Sequence, residues 1–147
     1  MHDYVKTTTG LPEPRTGLEG KFSIYHVLAV ALADGAAFLD QFTDERVADP
    51  ELARLRKQVH VHTDPAQTKD SARVVLSLRD GRTLERHVAH NLGTPDNPMT
   101  DQQLEDKFVA LAAPVLGQAR TEQLAKTCWQ LLELDDIRGL LDLAMPG

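Results

Sequence analysis

The stretch Phe22 to Gly35, FSIYHVLAVALADG, constrains this chain more than any other. Wound as a helix it is apolar on nearly every face, and such a helix is stable only when covered on all sides. Ser23 stands where an N-cap belongs, and Gly35 where a left-handed residue ends a helix. Ala29, Ala31 and Ala33 allow neighbours to approach closely. A chain of 147 residues has the size of one domain and can bury on the order of 70 % of its unfolded surface. A domain of that size seldom encloses one helix completely, so a partner surface is expected.

The punctuation of the rest gives an α+β chain. Residues 1–20 mix threonine, proline and glycine, as in Thr7–Pro14, without apolar periodicity, and read as a flexible N-terminal arm. Asp49, Pro50 and Glu51 open a second helix that runs to Gln58. Its basic end, Arg54, Arg56 and Lys57, reads as a solvated face favoured by the helix dipole. Val59–His62, Arg73–Leu78 and Thr83–His90 alternate as strands, and Asp80-Gly81 between the last two is a hairpin signal. An antiparallel sheet of three or more strands follows, one face buried, packed with helices as a two-layer sandwich.

Thr100 with Gln103 forms a capping box, and Met99 with Leu104 a hydrophobic staple, at the start of the next helix. Pro114 ends or bends that helix and Gly117 stops it. Leu124, Cys128, Leu131 and Leu132 mark another helix, and Asp135 or Asp136 caps a short last one through Leu143. The expected organisation is an arm over 1–20, an α+β body over 21–117 and C-terminal helices over 118–147.

Composition narrows the function. Acidic residues outnumber basic ones by 22 to 16, a net charge of −6, whereas a non-specific nucleic-acid binder needs clustered Lys and Arg. The single cysteine, Cys128, excludes an internal disulfide and a multi-cysteine zinc site. The longest near-continuous apolar run, Val27–Ala33, is far short of the roughly 20 residues a membrane span requires. Met1–Tyr4 has no signal-peptide layout. A cytoplasmic protein acting without nucleic acid or membrane is expected.

Two groups of residues could carry chemistry. His60 and His62 share a strand face, and His87 or His90 could complete a metal site across the sheet. The same spacing fits solvated strand histidines, and no metal is expected. Lys21, Ser23, Tyr25 and His26 place a cation, a hydroxyl, a phenol and an imidazole at the mouth of the apolar helix. Its first-turn N–H groups and positive dipole end suit a carboxylate, and His26 can exchange protons near neutral pH. The alternative is a capped helix whose Tyr25 and His26 are merely half-buried.

Gly17–His26 followed by Ala29–Gly35, then Gln41–Pro50, then Leu78–Arg82, then Gly93–Thr100 leading into Leu104–Phe108 resemble, in this order, the MmgE/PrpD family. The matches run over residues 14–145. The resemblance implies activity beside carboxylates of small polycarboxylic acids, as in 2-methylcitrate dehydratase, cis-aconitate decarboxylase and iminodisuccinate epimerase, with no metal or other cofactor. It implies a C-terminal α+β part of a longer enzyme, inactive without a helical domain or a separate helical chain. Residues 21–117 would then be the family's small domain, and residues 118–147 would pack on the helical part. Many relatives carry Pro-Tyr where this chain has Tyr25-His26, so the family tyrosine falls on His26 in position with Tyr25 adjacent, and either residue could take its role. Implied roles are Tyr25 and His26 in catalysis and Lys21 and Ser23 in holding a substrate carboxylate. The other reading is a non-catalytic module whose exposed apolar helices drive assembly as a homo-oligomer.

Overall fold

The computed structural model describes residues 1–146. In chain order come α1 (Asp3–Thr9), α2 (Gly17–Lys21), α3 (Ile24–Asp34), a 3-10 turn at Leu39–Phe42, α4 (Asp44–Ala48) and α5 (Pro50–Arg56). Strands β1 (Ala72–Ser77) and β2 (Thr83–Val88) follow, then α6 (Asp101–Leu116), α7 (Gln118–Trp129), a 3-10 turn at Leu131–Glu133 and α8 (Arg138–Ala144). The described residues belong to two compact units, Met1–Asp96 and the residues from Asn97 onward.

In the first unit, α3 forms between the signals that predict it. The Ser23 side chain caps its start, and Gly35 ends it at φ 69°, a conformation costly for residues with a Cβ. Ala29 and Val30 of α3 pack with Leu52 of α5 as the core, with Leu55 against them. The covering is partial: His26, Ala29 and Val30 are buried, while Ala31, Leu32 and Ala33 on the last turn are exposed. Residues 1–20 contain α1 and all of α2 but its last residue, Lys21. The Gly17 N–H donates to Asp44 Oδ1 at 2.6 Å, fixing the start of α2 against α4.

The sheet is smaller than its sequence suggests. β1 and β2 pair antiparallel from Ala72 opposite Val88 to Ser77 opposite Thr83, around the predicted turn at Asp80-Gly81. The expected sheet of three or more strands is corrected to this two-stranded hairpin, because Val59–His62 forms no strand. The backbone groups of that region pair elsewhere: Val59 N–H donates to Arg56 O at 3.1 Å, and Asp64 N–H to Met1 O at 2.9 Å. The Met1 amine in turn donates to His62 O at 3.0 Å. The two-layer sandwich goes with the third strand. All of β2 is exposed, and in β1 only Ala72 and Leu76 are half-buried, so neither face of the hairpin is a core face.

In the second unit the capping box at Thr100 and Gln103 is present, with Gln103 N–H donating to Thr100 Oγ1 at 3.2 Å. Pro114 lies inside α6 without ending it, and Gly117 terminates the helix. Thr121 and Leu124 of α7 are buried, and Trp129 Nε1 donates to Glu105 Oε1 at 2.5 Å across α6 and α7. Among the described residues no helix is long and apolar enough to cross a membrane.

Candidate functional site

The junction of α2 and α3 is built around two buried polar side chains. Ser23 Oγ accepts from His26 N–H at 3.1 Å, as an N-cap does, and donates to Leu11 O at 2.5 Å. The His26 imidazole is inaccessible to solvent. Its Nε2 lies 2.8 Å from Gln41 O, a pure acceptor, so Nε2 carries the proton and donates. That leaves a lone pair on Nδ1, which accepts from Arg56 Nη1 at 3.1 Å. The Phe42 ring meets the imidazole edge-on at 5.7 Å. Gly20 is buried against the ring: a Cβ there would lie 2.9 Å from Val47 Cγ2 and 3.1 Å from His26 Cδ2.

The charges around this junction are uneven. Burial pushes the His26 pKa below its ordinary 6.5; the Gln41 contact opposes this, and the Arg56 and Arg46 charges add to it. Burial also pushes the Arg56 guanidinium downward, partly offset by the fields of Glu13 and Asp49. Arg46, by contrast, is ion-paired with Asp34 at the end of α3 and with Asp49 at the start of α5. The Asp34 hydrogen bond raises its pKa above the ordinary value.

The four residues singled out in the sequence fall into two groups. Ser23 and His26 are brought together, buried, with their polar atoms bonded to the chain itself. Lys21, in the last turn of α2, is exposed, and Tyr25, in the first turn of α3, is half-buried. Neither the Lys21 ammonium nor the Tyr25 hydroxyl has a polar partner among the described residues. Sequence reasoning missed Arg56, taken for part of a solvated basic run; it is only 9 % exposed.

The histidines are distributed differently from the strand pattern. His60 and His62 lie outside any strand, and His87 is exposed on β2. Among the described residues one grouping has the composition of a metal site: Asp70, His90 and Asp96, with donor atoms within 4.8 Å of one another. His90 Nδ1 is 2.6 Å from Asp70 Oδ2 and 3.9 Å from Asp96 Oδ2. The shorter contact is that of an N–H donating to a carboxylate, which places a proton where a metal would need a lone pair. Separately, Leu104, Phe108, Ala125 and Trp129 line an apolar recess between α6 and α7, with Glu105 and Cys128 at its wall.

Comparison with known proteins adds an independent observation. The family model of the MmgE/PrpD C-terminal domain matches residues 1–131. Cis-aconitate decarboxylase of Aspergillus terreus is 28 % identical over 158 residues, covering 97 % of this chain and 32 % of that protein. Cis-aconitate decarboxylase of Mus musculus is 25 % identical over 129 residues, covering 85 % of the chain and 26 % of that protein. The Homo sapiens protein of that name is 25 % identical over 136 residues, covering 90 % and 28 % respectively. The chain thus spans about a third or less of the length of these curated relatives.

Proposed function

Since the chain belongs to the MmgE/PrpD family, matched over its C-terminal domain, we propose that it is the α+β part of a lyase or isomerase for small polycarboxylic acids. The family match over residues 1–131, which includes the Lys21–His26 turn, carries this reading. The relatives' shared name favours decarboxylation of an unsaturated tricarboxylic acid over the dehydration of a 2-methylcitrate-like acid. Activity requires a helical part, in the same chain or a separate one, on which residues 118–147 pack while residues 21–117 form the small domain. Assembly as a homo-oligomer in a reducing, cytoplasmic setting completes the proposal, the latter resting on the single cysteine.

Each of these reactions builds negative charge next to a carboxylate, and fixed cations and N–H or O–H donors around that carboxylate lower the barrier. The exposed Lys21 ammonium is the cation, and the Tyr25 hydroxyl is free to donate. Tyr25, not His26, takes the family tyrosine's role, because both nitrogens of His26 are engaged within the chain. Ser23 and His26 are positioning residues that fix the turn carrying the other two.

The test is turnover of cis-aconitate by an enzyme containing this segment and its helical part. Lys21→Ala and Tyr25→Phe are each expected to lower kcat/KM by about 10²-fold, with Tyr25→Phe acting mainly on kcat. Undiminished turnover in both variants would remove this turn from the chemistry. The second reading, a non-catalytic assembly module, is favoured by side chains such as Leu132, Leu18 and Val115, exposed by 100 %, 67 % and 65 %.

A further inference from the structure

Arg56 is a buried cation that the chain's own acids leave unmatched. No carboxylate of the described residues lies within ion-pair distance of it, whereas Arg46 has two. Glu13 and Asp49 reach it only through their fields. Its one hydrogen bond runs from Nη1 to Nδ1 of His26, a neutral acceptor. The carbonyls at the end of α5 supply only a partial negative charge. Nε and Nη2 therefore have no partner among the described residues. They are not fully enclosed either, because among the described residues no enclosed side-chain nitrogen or oxygen lacks a hydrogen bond; each keeps some accessible surface.

The chemistry of that free edge is specific. With Nη1 committed to His26, Nε–H and one Nη2–H remain, side by side and parallel on one edge of a planar guanidinium. Two parallel N–H bonds match the two oxygens of a carboxylate. We propose that the Nε–Nη2 edge of Arg56 is a carboxylate-binding site, in which an external carboxylate supplies the negative charge that the fold omits. The imidazole anchors Nη1 and leaves the Nε–Nη2 edge uncommitted. Partial burial strengthens the pairing relative to an exposed arginine, since fewer water molecules compete for the charge. The site needs only this chain, so an enzyme inactive in every reconstitution would leave it standing.

The experiment titrates the nitrogen-15-labelled chain with succinate at constant ionic strength, following the arginine Nε–H resonances. A saturable shift of the Arg56 resonance is expected, with the resonance of Arg54, exposed on the same helix, unmoved. Sodium chloride at matched ionic strength is expected to leave both in place. Arg56→Lys keeps a cation but loses the fork, and is expected to weaken binding at least tenfold, as read from the backbone amides of α5. An Arg56 resonance that does not move, or that drifts linearly together with Arg54, overturns the proposal from the unsubstituted chain alone. Equal succinate affinity in a folded Arg56→Lys chain overturns the fork.

Discussion

His26 and His90 are the same side chain held in opposite charge preferences. Burial holds His26 below 6.5, while the hydrogen bond to Asp70 holds His90 above it. The Asp70 carboxyl is lowered, first by Thr68 and then by His90. The unfolded chain protonates near 6.5 at both histidines. As pH falls through 6.5 the unfolded state gains a proton that folded His26 refuses, so His26 makes the fold lose stability on the acid side. His90 does the reverse: its contribution is complete below 6.5 and disappears as pH rises through its raised pKa. Asp70 contributes above 3.8 and loses this as pH falls through its depressed pKa. Histidine ring resonances followed against pH are expected to show His26 titrating below 6.5 and His90 above it; the opposite order would contradict the tautomer and partners assigned here. The cap at Ser23 was legible because its partner, His26 N–H, lies one turn away. Arg56 was not, because a basic residue at a helix end is ordinarily solvated and nothing local announces a lone pair thirty residues earlier.

Three helices bounded by local chemistry start where their sequence places them, whereas α8 starts behind Ile137 with no side-chain cap in place of the expected Asp135 or Asp136. α3 runs between Ser23 and Gly35, α5 starts at Pro50 behind the Asp49 cap, and α6 starts behind Thr100. Thr100→Ala is expected to cost about 1 kcal/mol in urea unfolding, the usual value of an N-cap. Gly20→Ala is expected to cost about 1–3 kcal/mol, since the added methyl must displace Val47 and His26 from close contact; an unchanged midpoint would mean that the α2–α3 junction is looser than described. The strand at Val59–His62 shows where alternation misleads. Period-two patterning says that a segment can be extended, but pairing depends on which backbone groups come alongside, and here Met1 does. The hairpin Ala72–Val88 was legible from its turn, yet its buried face was not found, because burial depends on what covers the sheet.

At the scale of the molecule, much apolar surface is left uncovered. Leu32 on α3, Phe38 beyond it, and Trp129, Leu132 and Leu141 in the second unit are each at least half exposed. The all-round apolar character of Phe22–Gly35 led to the expectation of a partner surface, and α3 is covered only in part by the described residues. The start of α3 behind its Ser23 cap was legible in the sequence, but the burial of the candidate residues around it was not. Ser23 and His26 are buried and bonded within the chain, while Lys21 is exposed and Tyr25 half-buried. The central claim, that this is one part of a polycarboxylate enzyme needing its helical complement, is tested most directly by following cis-aconitate turnover in three samples: the chain, the family's helical part, and their mixture. Turnover confined to the mixture is the predicted result. Equal turnover by the chain alone, or an inert mixture that sizing chromatography shows to be assembled, would contradict it.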